Sequence, residues 1–530
     1  MTFAELVDIV DPIYVTSTLK AQALILYGAT MDSRKVDPGD IFFSLEAKAP
    51  TPSGDVPKDD RPRFIASAIE SGAQVVVFEP GLNLDDLPVD DYARSKVIFV
   101  QVANPELAFA QVAFRFIQKR PHHIAAVTGT NGKTSTVSIL RDIWRAVGRD
   151  AYSLGTLGLI SDEPHNCLVT GLTTPQPDAF CKLLKAVAEK HTRSYLAVEA
   201  SSQGLNEERL SSVEVDVAAF SNLTRDHLNY HSYNRKKRTM DDDLGAFERY
   251  AECKRMLFLD RLKKEGVAVV NIDDRYGVDL ITSISAQRPD VQILTCSCEH
   301  ATADFFVASA TQSDVGVELT MHHGPEVVAI AMPLYGAFQR YNAVLAVGMA
   351  VASGVSFGEA VAALGRVRPV RGRMEFVGET NTCGRVYVDY AHTDDALRSI
   401  LTGAREAFPG RPISIVFGAG GDRDVGKRPR MGRVAGELAD QIFVTDDNPR
   451  SEDPGIIRAQ VMGGIVEAGA ERRAASVAPR DVAISQAVSN LPKAGILLIA
   501  GKGHEDYQDI KGKKFPFDDV VVALRALQRR

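Results

Sequence analysis

Apolar runs of four or five residues alternate along the chain with amphipathic segments of helical period. Such alternation favours parallel sheets with helices on both faces, so the sequence predicts an α/β fold. A helix is predicted near Phe64–Gly72. The strands predicted in the first part and the last third of the chain are Ile41–Leu45, Val75–Phe78, Val97–Val100, Ile413–Phe417, Gln441–Thr445 and Ile496–Ala500.

In the middle of the chain, the sequence T-G-T-N-G-K-T follows the predicted strand Ile124–Val127 and precedes an amphipathic helix. Glycines let such a loop curl around a triphosphate at the helix N-terminus, while its lysine neutralises charge and its last threonine can ligate Mg²⁺. The generic phosphate-loop pattern has a glycine where Val127 stands, so a simple turn is the alternative interpretation. The predicted nucleotide-binding residues are Gly129, Thr130, Asn131, Gly132, Lys133, Thr134 and Ser135.

Length and composition indicate a multi-domain protein of ordinary polarity. At 530 residues the chain is too long for one core, and about 150 residues per domain suggests three domains. Its 61 basic and 68 acidic residues leave a net charge of −7, which does not favour nucleic acid as a partner. Six cysteines without zinc spacing indicate reduced thiols and a cytoplasmic protein. The acidic N-terminus and the absence of a long apolar run predict neither an export signal nor a membrane span.

Changes in composition suggest where the domains meet. The predicted domains are 1–103, 104–368 and 369–530, with a hinge at Arg366–Arg371, a basic stretch that contains proline. Two polar stretches are predicted as loops. Lys48–Arg63 is rich in proline, aspartate and lysine and is expected to be mobile, and the charged insertion Asn234–Asp243 is expected to be solvated.

Each of the three strands predicted in the last third is followed at once by polar residues or glycines. The sequences are G-A-G-G-D-R-D, D-D-N-P-R and G-K-G-H-E-D. Ligands of open parallel sheets bind beyond the carboxyl ends of the strands, so these loops predict a binding face. Loops that only cap the sheet are the alternative.

Three further residues could serve a metal ion bound to the nucleotide. Glu199 ends the apolar run Tyr195–Val198, at the same kind of sheet edge as the glycine-rich loop. His227 lies in a polar loop, where a structural or surface histidine is the plainer interpretation. Lys254 lies among apolar residues at helical spacing, so its ammonium either reaches water or is converted by CO₂ to a carbamate that can bind Mg²⁺.

The sequence resembles the Mur ligase family over nearly its whole length. The resemblance implies a UDP-binding N-terminal domain, a central ATPase domain with a phosphate loop and a Rossmann-like C-terminal domain that closes over the site. Besides Lys254, it rests on ordered motifs at Asp32–Arg34, Pro38–Asp40, Thr128–Thr134, Leu172–Pro175, Glu199–Leu205, Asp226–His227, Arg371–Phe376, Asp389–His392, Gly421–Pro429, Asp447–Arg450 and Gly501–Tyr507.

The same resemblance implies an enzyme, an ATP-dependent amide-forming ligase of peptidoglycan precursor synthesis. The acceptor would be UDP-N-acetylmuramoyl-L-alanyl-D-glutamate, whose side-chain carboxylate would be activated as an acyl phosphate. The tetrad D-N-P-R at Asp447–Arg450 is similar to that of members that add meso-diaminopimelate and not lysine. The implied cofactors are ATP and Mg²⁺, the implied partners are these small molecules, and the protein is expected to be a monomer in the cytoplasm.

The family's functional residues carry over to matching positions. Ser33 would hold the uracil, and Asn342, Arg373 and Asp389 would contact the nucleotide. The residues expected to act in catalysis are Lys133, Glu199, His227 and Lys254. Mg²⁺ would be served by Thr134, Glu199, His227 and carbamylated Lys254. The muramoyl dipeptide would contact Thr173, Thr174, Ser201, Glu207 and Arg209. The incoming amino acid would contact Arg423, Asp447, Asn448, Pro449, Arg450, Gly501 and Glu505.

Some positions depart from the family pattern. Gln203, Glu207 and Gln339 stand where the family commonly has histidine, glutamine and asparagine, which affects local contacts. Three alternatives stay open: a sister ligase with another amino acid or a modified acceptor, a folate polyglutamate ligase, and a nucleotide-binding protein without ligase activity. The Asp32–Arg34 motif and the D-N-P-R tetrad count against the second, and the three polar loops count against the third.

Overall fold

The computed structural model describes residues 1–16, 23–46, 58–161, 171–226, 228–234, 239–313, 316–336 and 338–529. Within these ranges the chain forms three large sheets, of five, ten and six strands, and helices alternate with the strands. The α/β fold class is thereby confirmed. None of the described helices is long and apolar enough to cross a membrane.

The first sheet has five strands in the order β1-β5-β4-β3-β2, parallel except for β1. Its strands are β1 Tyr14–Val15, β2 Ala29–Thr30, β3 Ile41–Phe43, β4 Val75–Phe78 and β5 Ile98–Gln101. Its helices are α1 Phe3–Val10, α2 Arg61–Glu70, α3 Asp91–Ser95 and α4 Pro105–Ile117. The sheet is buried on both faces: Phe43 packs with α1 and α4, and Phe42 packs with α2. Burial on both faces explains why its central strands are continuously apolar.

Two predictions for this part need correction. The predicted mobile loop ends earlier than Arg63, because α2 begins at Arg61 with a proline in its first turn, a position that proline favours. Residues 48–57 of that loop lie outside the described part of the chain. The strand β4 has the predicted bounds, whereas β3 is shorter than predicted and β5 begins one residue later.

The second sheet has ten strands in the order β17-β16-β15-β14-β13-β10-β6-β9-β7-β8. Its strands are β6 His123–Thr128, β7 Asp150–Gly155, β8 Gly158–Ile160, β9 Ser194–Glu199, β10 Val215–Phe220, β13 Leu262–Asn271, β14 Gln292–Ser297, β15 Phe305–Ser313, β16 Gly316–His323 and β17 Glu326–Met332. Its helices are α5 Lys133–Ala146, α6 Pro177–Lys190, α7 Ser202–Asn206, α8 Leu228–His231, α9 Asp243–Met256, α10 Arg275–Gln287, α11 Gln339–Ala352 and α12 Phe357–Ala363. The centre of the sheet is parallel as predicted, but the pairs β7–β8, β15–β16 and β16–β17 at its edges are antiparallel.

Two segments near α9 also differ from expectation. The insertion predicted as a solvated loop contributes a two-stranded hairpin, β11 Tyr233–Asn234 and β12 Thr239–Met240, and residues 235–238 lie outside the described chain. The helical pattern around Lys254 does not stay α-helical to its end, because α9 gives way to a π-helical turn at Leu257–Arg261.

The third sheet has six strands in the order β18-β19-β23-β20-β21-β22, parallel except for β18. Its strands are β18 Glu375–Glu379, β19 Arg385–Asp389, β20 Ile413–Phe417, β21 Gln441–Val444, β22 Ala474–Ser476 and β23 Ile496–Ala500, followed by the hairpin β24 Tyr507–Ile510 and β25 Lys513–Pro516. Its helices are α13 Asp394–Ala407, α14 Lys427–Leu438, α15 Pro454–Glu467, α16 Arg480–Ser489 and α17 Asp519–Gln528. The predicted hinge lies between the second and third sheets, where Arg368 donates its backbone N–H to Asp142 of α5 at 3.0 Å.

A buried ion pair joins the first residues of α16 and α17, two helices of the third sheet. Arg480 and Asp519 are both fully buried, with 2.7 Å between Nη2 and Oδ2. Arg480 also donates to the carbonyl oxygens of Ala500 at 2.9 Å and Asp446 at 3.3 Å. The guanidinium therefore holds together the segments that follow β21 and β23.

We expect Asp519→Asn to lower the free energy of unfolding by about 3 kcal/mol or more, because it leaves a buried guanidinium without its counter-charge. Urea unfolding followed by circular dichroism measures the change. Glu467→Gln is the control, since it breaks the exposed pair with Arg433 and should leave the midpoint unchanged. Equal midpoints for the two variants would contradict the account.

Candidate active site

The glycine-rich loop Thr128–Thr134, called the glycine loop below, lies at one edge of the second sheet. The strands β9, β6 and β10 are neighbours and run parallel. They end at Glu199, Thr128 and Phe220, so the residues that follow them meet at the same edge. This is the sheet edge at which ligands of such folds bind.

The backbone of the glycine loop takes conformations that favour glycine. The φ angles of Gly129 and Gly132 are +148° and +87°. A Cβ atom at position 129 would lie 1.9 Å from Oγ of Ser221, and one at position 132 would lie 2.4 Å from Oδ1 of Asn342. The loop is further held by Asn222, whose Oδ1 accepts from the backbone N–H of Asn131 at 2.9 Å. Both glycines are therefore required by space as well as by φ.

Helix α5 starts at Lys133, within the last two residues of the glycine loop. Gly132 precedes its first residue and offers no side chain to cap it, so the first-turn N–H groups are left to an external acceptor. The Lys133 ammonium lies in the curl of the loop and donates to the carbonyl oxygens of Gly129 at 2.8 Å and Thr130 at 2.9 Å. Desolvation lowers the pKa of Lys133, while the carboxylate of Glu199 acts in the opposite direction. This arrangement concentrates positive potential at one point.

The Thr134 hydroxyl joins two parts of the molecule. It donates to Oε2 of Glu199 at 3.0 Å and accepts from Nη2 of Arg373 at 2.9 Å. Glu199 is buried and also accepts from the backbone N–H and the hydroxyl of Thr156, at 2.9 and 3.1 Å. Arg373 lies two residues before β18, so this contact couples the third sheet to the glycine loop.

Lys254 lies on α9 and is 1% exposed, so the alternative in which its ammonium reaches water is wrong. Its Nζ lies 4.2 Å from the ring centroid of Tyr250, whose hydroxyl lies 3.0 Å from Oγ1 of Thr130 in the glycine loop. Burial, followed by the charge of Lys133, lowers the pKa of Lys254 well below its usual value. His227, predicted as a metal ligand, lies outside the described residues.

A cavity of about 380 Å³ lies between the glycine loop and the third sheet, within the usual size range of small-molecule sites. Asn131, Gly132 and Ser135 line it from one side, and Arg373 and Asp389 from the other. Its lining also includes Asn342. Asp389 accepts the backbone N–H groups of Met374 and Ala391, both at 2.8 Å, and so shapes the chain around the cavity.

Sequence reasoning missed several polar residues that line this cavity. Asn222, Asn271 and Tyr390 all contribute to it. Asn271 ends β13 and Tyr390 directly follows β19, while Asn222 comes two residues after β10. The three polar loops of the last third were predicted from polar residues at strand ends. Asn222, Asn271 and Tyr390 show the same pattern and could have been predicted in the same way.

The residues predicted to hold the acceptor cluster around Glu199. The Thr174 hydroxyl donates to the Glu199 carbonyl at 2.8 Å and lies 3.0 Å from Oγ of Ser201. Nη1 of Arg209 donates to the Thr174 carbonyl at 2.9 Å. The Thr173 hydroxyl lies near the same group, 3.2 Å from that of Thr156.

Two residues that depart from the family pattern contact each other. Nε2 of Gln203 donates to Oε1 of Glu207 at 3.1 Å, and Oε2 of Glu207 accepts from Nε of Arg209 at 3.0 Å. Glu207 also lines a cavity of about 200 Å³, together with Met31, which directly follows β2 of the first sheet. Ser33, predicted to hold the uracil, begins a short turn two residues further along.

The three polar loops of the last third meet at one edge of the third sheet, as the sequence predicted, because β23, β20 and β21 are parallel neighbours. Nδ2 of Asn448 donates to Oε2 of Glu505 at 2.8 Å. At Gly501, with φ +111°, an added Cβ would lie 2.6 Å from Oδ2 of Asp447. The loops therefore approach closely enough to exclude a side chain at position 501.

Two arginines lie at the same edge. Nη1 of Arg450 donates to the Gly421 carbonyl at 2.7 Å, and the Pro449 carbonyl packs against the same glycine. Burial, followed by the charge of Arg450, lowers the pKa of Arg423. Two neighbouring guanidinium groups make this a place where an anion is favoured.

Comparison with known proteins gives a consistent result. The family model of the Mur ligase middle domain matches residues 127–350, and that of the Mur ligase, glutamate ligase domain matches residues 372–503. The chain is 36% identical over 510 residues to UDP-N-acetylmuramoyl-L-alanyl-D-glutamate--2,6-diaminopimelate ligase of Bradyrhizobium diazoefficiens, covering 96% of each chain. It is 37% identical over 504 residues to the protein of that name from Zymomonas mobilis, covering 94% of each. A solved structure with the same name is 30% identical with a TM-score of 0.65, covering 100% of this chain and 99% of the other.

The chain therefore belongs to the Mur ligase family. The family resemblance given by the motifs is confirmed. The protein is accordingly an ATP-dependent enzyme of the amide-forming ligase class.

We expect Gly132→Ala to weaken nucleotide binding about tenfold or more, because the added Cβ would meet Asn342 and open the glycine loop. Titration calorimetry with a non-hydrolysable ATP analogue measures the affinity. Gly148→Ala is the matched control: Gly148 has a similar φ of +80°, but no atom of the described residues lies within 4 Å of its added Cβ. Equal affinities of both variants for the nucleotide would show that the contact with Asn342 is unimportant.

Proposed function

We propose that this enzyme adds meso-diaminopimelate to UDP-N-acetylmuramoyl-L-alanyl-D-glutamate during peptidoglycan precursor synthesis, with ATP as the energy source and Mg²⁺ as the metal ion. The observation that carries the proposal is that two arginines, Arg423 and Arg450, and the carboxylates of Asp447 and Glu505 lie in the loops at one edge of the third sheet. Diaminopimelate bears a carboxylate and an ammonium at its distal end, so it needs both kinds of partner. The proposal is also supported by relatives that have the name of this ligase and align with the chain over nearly their full length.

In the proposed reaction, the side-chain carboxylate of the D-glutamyl residue attacks the γ-phosphorus of ATP, and ADP leaves. The resulting acyl phosphate is attacked by the amino group of diaminopimelate, an amide bond forms, and phosphate and one proton are released. The contribution of the protein is positioning and neutralisation of charge, as in other phosphoryl transfers. Lys133, Arg373 and the N-terminus of α5 would screen the phosphate oxygens from the incoming carboxylate.

The proposed Mg²⁺ site would consist of Thr134, Glu199, His227 and carbamylated Lys254. The described members suit a hard cation, since Thr134 and Glu199 offer oxygen atoms that lie 3.0 Å apart at the glycine loop. When bound, the ion would supply further screening of the phosphate charge. Asp226, which acts electrostatically on both Lys133 and Lys254, adds negative charge to the same place.

Carbamylation of Lys254 is favoured by its surroundings. The lowered pKa increases the share of neutral amine, which is the form that attacks CO₂. The neutral amine attacks CO₂, the Nζ–carbon bond forms, one proton is released from the nitrogen, and the neutral group becomes an anion. A carbamate in place of the ammonium removes the repulsion that the charge of Lys133 exerts on Lys254 in this desolvated environment.

Binding of the acceptor is proposed for Thr173, Thr174, Ser201, Glu207 and Arg209, with Ser33 holding the uracil. The proposed domains are 1–103, 104–368 and 369–530, each with one of the three sheets. Residues Phe109 and Val112 of α4 pack in the core of the first sheet, so this helix links the first two proposed domains. We further propose that the enzyme acts in the cytoplasm as a monomer.

Lys254→Ala should abolish turnover, and a short carboxylate such as acetate should restore part of it by replacing the carbamate. Phosphate release measures turnover, and carbon NMR of protein equilibrated with labelled bicarbonate should show a carbamate signal that the variant lacks. Lys264→Ala, at an exposed position of β13, is the control and should keep full activity. Full activity of Lys254→Ala without added carboxylate would refute the carbamate.

The enzyme should prefer diaminopimelate to lysine by about a hundredfold or more. With lysine bound, an arginine would face no carboxylate, and leaving a buried charge unpaired costs about 3 kcal/mol, or roughly two decades at 1.4 kcal/mol each. Phosphate release with the UDP-linked dipeptide and diaminopimelate, lysine or no amino acid measures the preference.

In the same assay, Arg450→Ala should raise KM for diaminopimelate and leave KM for ATP nearly unchanged. Arg433→Ala, at the exposed surface of α14, is the control and should alter neither constant. Comparable kcat/KM for the two amino acids in the unmutated enzyme would overturn the assignment and favour the sister ligase.

A further inference from the structure

Lys502 lies between β23 and β24, in one of the three polar loops of the third sheet, and its side chain is fully buried. Burial of an ammonium is unfavourable unless partners replace the lost water. A lysine in this position therefore needs a specific set of acceptors. The family resemblance gave no role to this residue.

The acceptors of Lys502 are two residues proposed to contact the incoming amino acid. Its Nζ lies 3.0 Å from Oε2 of Glu505 and 3.2 Å from Oδ1 of Asn448. Nδ2 of Asn448 donates to the same oxygen of Glu505 at 2.8 Å, so the three side chains form a closed triangle. Oδ1 of Asn448 also accepts from the backbone N–H of Asp509 at 2.9 Å, which fixes the direction of the amide.

Lys502 also influences the charge at this edge. Burial opposes ionisation of Asp447, but the charges of Lys502 and Arg480 outweigh it, and the pKa of Asp447 lies below its usual value. Oδ2 of Asp447 is buried and has no hydrogen-bond partner among the described residues. The carboxylates of Asp447 and Glu505 and the ammonium of Lys502 together carry a net negative charge. This charge favours binding of an ammonium group of a ligand.

We propose that Lys502 is a positioning residue that holds Glu505 and Asn448 in place for an ammonium group of the incoming amino acid. The inference rests on the proposed function, because it assigns these two residues to the amino-acid site. Lys502 acts through Glu505 and Asn448, so its effect should appear in amino-acid binding and not in nucleotide binding.

The test compares Lys502→Met, Lys502→Arg and Lys514→Met in the full-length enzyme by phosphate release. Lys502→Met should raise KM for diaminopimelate about tenfold or more, as expected for loss of hydrogen bonds to a charged group, with KM for ATP within about twofold. Lys502→Arg retains the charge and should recover part of the affinity. Nζ of Lys514 lies 4.0 Å from the ring centroid of Tyr507, and Nζ of Lys502 lies 5.6 Å from the same centroid. Lys514→Met is the control and should change neither constant.

The outcomes separate this inference from the proposed function. If the unmutated enzyme turns over with diaminopimelate and Lys502→Met keeps the same KM, the positioning role is wrong and the function stands. If KM for ATP rises as much as KM for diaminopimelate, the role is general stability, which also overturns the inference. If Lys502→Met does not fold, Lys502→Gln replaces it, because glutamine keeps a hydrogen-bond donor without the charge. KM for diaminopimelate and KM for ATP of that variant then decide in the same way. Absence of turnover with diaminopimelate in the unmutated enzyme would instead refute the proposed function.

Discussion

Two neighbouring lysines, Lys254 buried and Lys133 partly exposed in the glycine loop, set the main constraint on this molecule. Desolvation lowers the pKa of both lysines, and the charge of Lys133 lowers the pKa of Lys254 further. Such a site is favourable only with anions close by. The carboxylates of Glu199 and Asp226 supply part of the negative charge, and the phosphates of a nucleotide would supply the rest. The order of the strands places the ends of β9, β6 and β10 side by side, which brings Glu199 and the glycine loop together.

The third sheet is tied to the same place. The Thr134 hydroxyl, held by Glu199, accepts from Arg373, and Arg225 of the second sheet lies 3.8 Å from Asp424 of the third. These contacts put the edge with the two arginines opposite the glycine loop. The proposed reaction needs this juxtaposition, since an acyl phosphate formed on one side would have to meet an amine held on the other while water is kept away.

The elements that local sequence determines were predictable. Strands such as Val75–Phe78 and Ile496–Ala500 have the predicted bounds because they are buried on both faces and bounded by polar residues or glycines. The contact of Thr134 with Arg373 joins residues 239 positions apart, and no local pattern encodes it. The role of Lys502 likewise depends on the neighbouring strands of the third sheet. The π-helical turn after α9 and the antiparallel edges of the sheets also follow from tertiary packing, which overrides periodicity.

The central claim is that a carboxylate of the acceptor is phosphorylated at the glycine loop before any amine takes part. Positional isotope exchange tests this most directly, with ATP that carries heavy oxygen in the bridge between its β- and γ-phosphates. With the UDP-linked dipeptide present and every amino acid omitted, reversible acyl phosphate formation should move the label from the bridge to the outer oxygens of the β-phosphate. Retention of the label in the bridge, by enzyme that turns over once diaminopimelate is added, would contradict the account.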